Sequence, residues 1–425
     1  MPDGNSTKHL LRPKLSTILN KGYGLNSFGK DAMAALTVAI VALPLSMAIA
    51  VASGVSPERG LYTAIVGGFV VSLLSGSRFQ IGGPAGAFIV LVAATAAKFG
   101  IEGLLLTVLM SGVMLTLVGV LRLGSLIRHV PHAVTIGFTG GIAVTIAASQ
   151  LKDLGGLHLA GAEPGPLIPK LVALGSAFAT ARPAALGLGL GTAAVIFIVR
   201  RYRPNWPGML LAVIAASLAA ALLHLPVDTI GSRFGGLPHG LLWPRVPIFN
   251  LPLALQVLPT ALSFTLLGGI ESLLSAKVAD GMTGRKHRSN MELIAQGLAN
   301  IASALFGGIS VTGTIARTAT NVRAGGVSPL SGMMHSAFLL LFILVAAPLA
   351  SFVPLAALAG VLVVVSWNMA EKAEFVRLLR NWRTACVMLA TFGLTLVRDL
   401  TTGIIAGCLL AALFAVFKRS VPEEG

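Results

Sequence analysis

The sequence predicts an all-α polytopic membrane protein with fourteen transmembrane segments, arranged as two inverted repeats of seven. Three observations predict it: a series of long apolar stretches, a one-sided distribution of Lys and Arg, and two short Gly-interrupted stretches at matching places. Of 425 residues, 55% are hydrophobic and only 11% are charged, against roughly 25% charged in an average soluble domain. So few charges cannot cover a water-soluble fold of this length. The content of Leu, Ile, Val and Phe excludes a disordered chain. A membrane barrel would show alternating segments of about ten residues, and none are present.

Apolar segments are read at 31–53, 60–75, 83–97, 102–121, 130–149, 184–199 and 206–224, and again at 253–276, 291–309, 312–322, 328–350, 353–368, 383–397 and 400–417. In lipid the backbone finds no outside partner, so each is expected to be a helix. The third and tenth are too short to span about 30 Å of hydrocarbon alone. The first carries a helix breaker, Pro44, and the fifth and twelfth open at Pro131 and Pro354. GFTGG from Gly137 in the fifth reads as close helix packing, and GLGLG from Gly187 in the sixth lacks the acidic residue of a dinucleotide loop. His335, inside the eleventh, is expected to be a satisfied core histidine. Cys386 and Cys408 are expected to be small buried hydrophobes. Amphipathic interfacial stretches are expected at 166–181 and 370–382.

The net charge of +16 would suggest an acidic partner or nucleic acid in a soluble protein. Here it is positional. With both termini cytoplasmic, 22 of the 31 Lys and Arg fall on the cytoplasmic side and 8 on the other, with Arg317 left in the membrane. That asymmetry is the positive-inside bias, and a miscounted helix would blur it. Nucleic acid is not an expected partner; the lipid bilayer is. Residues 1–30 are polar and basic and hold no cleavable leader pattern.

The two series match each other. Pro131 and Pro354 are offset by 223, Pro84 and Gly313 by 229, and Pro44 and Glu271 by 227. Seven is odd, so the second half enters the membrane in the opposite direction, which is the architecture of secondary transporters. The chain divides into a cytoplasmic segment 1–30, a first repeat 31–203, a second repeat 206–418 and a short tail 419–425.

Paired short helices point to a transporter's binding site. QIGGPAGAFIVLV from Gln80 and GGISVTGTIARTATNVRAGG from Gly307 each place small residues before a helix start at mid-membrane depth. Inverted halves aim the two N-termini at each other, and the unpaired N–H groups and partial positive charge suit an anion. Glu271 is the ionisable residue placed deepest. A lone carboxylate there is expensive, and taking up an anion and a proton together removes both penalties. The alternative is a brace in which Glu271 pairs with Arg317 or Lys277. Arg317 can pair with Glu271, add positive potential to the site, or snorkel toward the cytoplasm. Thr312, Thr314, Ser310 and Ser46 offer hydroxyls, although Ser and Thr in membrane helices usually bond to backbone. No GxxxxGK loop, nucleophile–base pair or metal constellation appears, so neither an enzyme nor a cofactor is expected.

Five motifs in order resemble the SulP anion transporters. They are ALTVAIVALPLSMAIAVASGVSPERGLYTAIVGGF from Ala35, QIGGPAGAFIVLVAA from Gln80, GGIESLLSAKVADGMTG from Gly268, GGISVTGTIARTATNVRAGGVSPLSG from Gly307 and VPLAALAGVLVVVSWNM from Val353. The resemblance covers about residues 30–418. It implies a core domain of segments at 31–121 and 253–350, a gate domain at 130–224 and 353–418, elevator-like movement, and residence in a bacterial inner membrane. It places the anion between the starts of segments three and ten, against Leu45, Ser46, Ile49, Ala85, Gly86 and Ala87 on one side. On the other stand Gly313, Thr314, Ile315, Ala316 and Arg317, and Glu271 matches the acidic position linked to ion coupling. Animal members carry Gln near Leu45, a serine near Ala316 and aromatic residues near Ile49 and Ala85, so this site offers fewer polar side chains and more room. The family usually adds a cytoplasmic STAS domain after segment fourteen, so the resemblance implies that the sequence ending at Gly425 is either a natural short form or the membrane domain of a longer protein. The expected partners are a small inorganic or organic anion (sulfate, bicarbonate or a dicarboxylate), a proton or alternatively sodium, and a second copy in a homodimer. An uncoupled anion channel is the alternative on the same fold.

Overall fold

In the computed structural model, residues 11–20, 22–124, 131–161, 163–164, 167–204, 206–238, 240, 243–398 and 400–419 are described. Lys8, Lys21 and Arg128 of the charge count lie outside the described residues, as do 1–10 and 420–425.

A helix stands at each of the fourteen expected places. α1 is Leu25–Ala52. α2 runs without a break through Pro57–Tyr62, a π-helical Thr63–Gly67 and Gly68–Leu74. Ile89–Val120 is broken at Gly100 (φ 68°) into α3 and α4, a left-handed position that favours glycine. The series continues with α5 (His132–Gly155), α6 (Pro183–Tyr202) and α7 (Gly208–Leu222). The second half holds α8 (Leu251–Thr283), α9 (Ser289–Leu305), α10 (Ile315–Arg323) and α11 (Leu330–Ala350). It closes with α12 (Leu355–Met369), α13 (Trp382–Val397) and α14 (Leu400–Arg419). Among the described residues, seven stretches are long and apolar enough to cross a membrane by length and composition. The two expected interfacial stretches are the short helices Leu167–Ser176 and Lys372–Leu379.

Pro44 and Pro259 lie inside continuous helices. Pro44 is therefore not the break that the sequence suggested, because neighbouring helices hold a proline-bearing helix together. Pro131 and Pro354 sit at the N-caps of α5 and α12, where a missing N–H costs nothing.

Backbones approach closely where glycine permits. A side chain on Gly112 would meet the Gly297 carbonyl at 2.7 Å, and one on Gly297 would meet the Gly112 carbonyl at 2.6 Å, so α4 and α9 cross in contact. The GLGLG and GFTGG stretches serve the same purpose. Gly189 of α6 faces Gly360 of α12, and Gly137 and Gly141 of α5 face Met388 and Thr395 of α13. α7 packs on α6 as α14 packs on α13. Without hydrophobic drive between helices in lipid, such close approach supplies the packing. Cys386 is exposed and Cys408 half-buried, which corrects the expectation that both are buried; Cys386 lies on an outer helix face, where an apolar solvent asks nothing of a thiol.

Candidate functional site

The chain leaves helical form twice at the centre of the molecule, before α3 and before α10. There β1 (Gly82–Gly83) pairs antiparallel with β2 (Thr312–Gly313), Gly82 opposite Gly313 and Gly83 opposite Thr312. Each strand runs straight into a helix start: Gly86–Phe88 forms a 3₁₀ turn leading into α3, and Thr314 caps α10. The pairing thus brings both N-termini to one place. Their first N–H groups have no carbonyl one turn behind them. The nine residues of α10 give a rod of about 14 Å, roughly half of the hydrocarbon depth.

Non-helical backbone at membrane depth survives only where protein satisfies its polar groups, and side chains from α2, α8, α9 and α10 do so here. Asn300 Nδ2 donates to the Val311 carbonyl at 2.8 Å and its Oδ1 accepts from Val311 N at 2.9 Å. Ile309 N donates to Thr63 Oγ1 at 2.7 Å, and Ser303 Oγ donates to the Ile309 carbonyl at 2.7 Å. Across the crossing, Gln80 Nε2 donates to the Ser272 carbonyl at 3.0 Å and Asn321 Nδ2 to the Phe79 carbonyl at 2.9 Å. Ile81 N donates to Thr318 Oγ1 at 3.3 Å, and Thr314 N to the Ile81 carbonyl at 3.3 Å. Sequence reasoning assigned no role to Gln80, Asn300, Thr318 or Asn321. Their signal was available, since each is a polar side chain within or beside an apolar segment.

Arg317 neither snorkels nor braces Glu271. It is 1% exposed, and its guanidinium donates from Nη2 to Ser46 Oγ at 3.0 Å and from Nη1 to the Gly82 carbonyl at 3.5 Å. A cation is thus fixed directly behind the strand crossing, tying α10 to α1. Glu271 is 8% exposed and has no hydrogen-bond or ion-pair partner among the described residues, Lys277 and Arg317 included. The brace reading therefore fails: the guanidinium reaches α1 and β1 instead, and its enclosed Nε has no partner among the described residues. His335 is fully enclosed, yet neither ring nitrogen has a partner, so it is not the satisfied core histidine expected.

The remaining expected site residues divide by exposure. Leu45, Ser46, Ile49, Ala85 and Ala87 are buried, Gly86, Thr314 and Ile315 half-buried, and Ala316 exposed. A side chain on Gly86 would meet Ile146 of α5 at 3.3 Å and Met369 of α12 at 3.4 Å, so the start of α3 abuts the helices expected to form the gate. Hydroxyls are mostly committed. Ser46 Oγ donates to the Ala42 carbonyl at 2.6 Å, Ser310 Oγ to Asn300 Oδ1 at 3.2 Å, and Thr312 Oγ1 to the Gly313 carbonyl at 3.0 Å. Thr314 Oγ1 alone of the four is enclosed without a partner. What the crossing offers an anion is backbone N–H, helix-end potential, one free hydroxyl and a buried cation, with a lone carboxylate on α8.

A cavity of about 360 Å³ lies elsewhere, where the ends of α5, α6 and α12 meet. Four of its charges are paired with each other, Arg233 with Asp153 at 2.9 Å and Arg182 with Asp228 at 3.5 Å, and Lys152 also lines it.

Comparison with known proteins gives the family and the fold. The pattern of the sulfate permease family matches residues 28–391. YvdB of Bacillus subtilis (strain 168), provisionally named a sulfate transporter, is 42% identical over 94% of this chain and 76% of its own length. The bicarbonate transporter BicA of Picosynechococcus sp. is 32% identical over 95% of this chain and 72% of its own. The solved transmembrane domain of a cyanobacterial BicA superposes with a TM-score of 0.79 at 29% identity, covering 92% of this chain and 98% of that one. SLC26A9 superposes with a TM-score of 0.88 at 18% identity, over 97% of this chain and 68% of that one, a likeness of fold.

Proposed function

The chain belongs to the sulfate permease family of anion transporters, and on that premise we propose that it imports a small anion by proton-coupled symport. The anion is sulfate or a carboxylate, including dicarboxylates. One observation carries the reading: β1–β2 pairing joins two helix N-termini over the buried Arg317, while Glu271 stands unpaired on the neighbouring α8. A helix-end site with one cation binds an anion. A carboxylate without a cation partner at membrane depth is relieved by taking a proton, so anion and proton enter together. The half-helices sit on the core domain, which slides against the gate in an elevator-like step; both termini face the cytoplasm of a bacterial inner membrane, and two copies form a dimer.

Sodium-coupled bicarbonate import is the second reading, favoured by the likeness to bicarbonate transporters in both sequence and structure. Uptake of labelled sulfate, bicarbonate and succinate into proteoliposomes, with and without a pH gradient, separates the two. A proton-coupled protein responds to the pH gradient and ignores replacement of sodium by choline. Loss of uptake in choline supports the second reading. The Glu271→Gln variant is expected to retain anion binding and lose the pH response; an unchanged pH response removes Glu271 from coupling.

A further inference from the structure

The loop that leads into β1 carries a charged feature that the transport site does not use. Lys14, Arg78, Arg285 and Arg288 gather where the helix Lys14–Leu19 lies against residues 75–78 and the start of α9. Lys14 N donates to the Ser75 carbonyl at 2.9 Å and Arg288 N to the Gly76 carbonyl at 3.0 Å. The Arg288 guanidinium donates to the Arg12 carbonyl at 2.6 Å and to Thr17 Oγ1 at 3.3 Å, which pins the N-terminal helix in place. A side chain at Gly76 would strike the Arg288 carbonyl at 2.2 Å, so the loop rests directly on the helix start.

Among the described residues Lys14, Arg78 and Arg285 form no ion pair. Burial lowers the proton affinity of the Lys14 ammonium, and Arg288, Arg78 and Arg285 lower it further, against an opposing pull from Asp280. The Arg78 guanidinium is pushed down by burial and then by Arg285 and Arg288. Asp280 is already held by His287, whose N–H donates to Oδ2 at 3.0 Å and whose Nδ1 lies 2.6 Å from it. Glu292 lies enclosed beneath the loop and accepts from Ser75 Oγ at 2.6 Å, Ser77 N at 3.1 Å and Gln296 Nε2 at 3.1 Å. Among the described residues, Lys14, Arg78 and Arg285 repel one another without an ion pair, and the Asp280 carboxylate that opposes them is itself engaged by His287. Leu19, on the same short helix, is 51% exposed, and Leu25 at the start of α1 is 90% exposed, an apolar margin suited to the lipid interface.

We propose that Lys14, Arg78 and Arg285, beside the anchored Arg288, bind the phosphate of an anionic phospholipid, and that its occupancy steadies the 75–80 loop and so β1. The lipid is chosen over a free phosphate because the cations adjoin exposed apolar residues at the face the charge bias makes cytoplasmic, where juxtamembrane basic groups meet anionic headgroups. Binding does not depend on the transport reading; the effect on β1 does.

The test uses the full chain in phosphatidylcholine nanodiscs doped with phosphatidylglycerol, with retained lipid counted by native mass spectrometry. The protein is expected to retain phosphatidylglycerol, and Lys14→Gln, at a half-buried position, and Arg285→Gln, at an exposed one, each to weaken retention about fivefold. Equal retention by the Lys14→Gln/Arg285→Gln double variant and the parent chain overturns the site. Release of the lipid by inorganic phosphate or by an acidic peptide assigns the cluster to those ligands and likewise overturns it. In vesicles, uptake is expected to rise with phosphatidylglycerol in the parent chain and not in the double variant; an equal response in both refutes the link to β1. If no uptake is found at all, the transport reading fails while the lipid count still decides the binding.

Discussion

Gly83 of β1 lies beneath the guanidinium of Arg317, whereas Gly313 of β2 lies beneath the carboxamide of Gln80. A Cβ on either glycine would come within 1.5 Å of the covering nitrogen, Nη1 of Arg317 in one case and Nε2 of Gln80 in the other. The same steric device therefore occurs in both halves, but one cover is charged and the other neutral. The flanking helices repeat the contrast. α3 starts from Ala85, Gly86 and Ala87, while α10 starts from Thr314 and carries Arg317. α1 holds Pro44 where α8 holds Glu271. The lesson is that the inverted repeat supplies a symmetric frame, and the second half supplies the charge. A symmetric crossing positions two helix ends, and the two charges that the proposed binding and coupling use, Arg317 and Glu271, both lie in the second half.

Substituting the two glycines in turn breaks this comparison most sharply. In both cases the first atom struck belongs to the end of a flexible side chain, so both variants are expected to fold. Gly83→Ala, however, drives the guanidinium away from Ser46 and the Gly82 carbonyl. Losing two hydrogen bonds from a charged group is worth about 3 kcal/mol or more, and uptake is expected to fall about a hundredfold. Gly313→Ala displaces a neutral amide and is expected to cost uptake about tenfold. Initial uptake rates, normalised to reconstituted protein, measure both. Equal losses would show that shape rather than charge governs the crossing.

Arg317→Gln is the next step down, since it removes the cation without forcing the backbone. The expected outcome is a KM for the anion raised about tenfold or more, with thermal stability less affected because no unpaired charge is left buried. Gly83→Ala acts through the same side chain, so Gly83→Ala/Arg317→Gln is expected to be little worse than Gly83→Ala alone. Additive losses would place the Gly83 effect in the backbone instead.

Much of this frame was legible in the sequence. Segment positions and the two short helices follow from apolar length and glycine placement, whereas the reading of Glu271 as the deepest ionisable group did not foresee that Asp31, Glu292 and Arg317 are more fully enclosed. Pairing was not legible. Whether Arg317 meets Glu271 or Ser46 depends on how far α10 is rotated and how closely α1 approaches it, and a periodic pattern fixes neither. The same limit hid the network of Asn300, Asn321 and Gln80, whose partners are backbone carbonyls 11 to 242 residues away. His335 was misjudged for a related reason: burial is written in the apolar run around it, while the neighbours of its nitrogens are set by other helices.

The smallest expected effect tests the contact that sequence could not foresee. Ser46 Oγ accepts from Arg317 Nη2 at 3.0 Å while donating to the Ala42 carbonyl at 2.6 Å. Ser46→Ala leaves the helix intact and takes one acceptor from the guanidinium, a loss of about 1 to 2 kcal/mol. A KM raised about fivefold to tenfold is expected, with the maximal rate unchanged if Ser46 only positions Arg317. Thr314→Val provides the contrast, because the enclosed Thr314 hydroxyl has no partner among the described residues and in the proposed site donates to the anion itself. In an Arg317→Gln background the Ser46→Ala effect should vanish, whereas that of Thr314→Val should persist. If Ser46→Ala still weakens binding without Arg317, the hydroxyl touches the anion directly, and α1 joins the half-helices as part of the site.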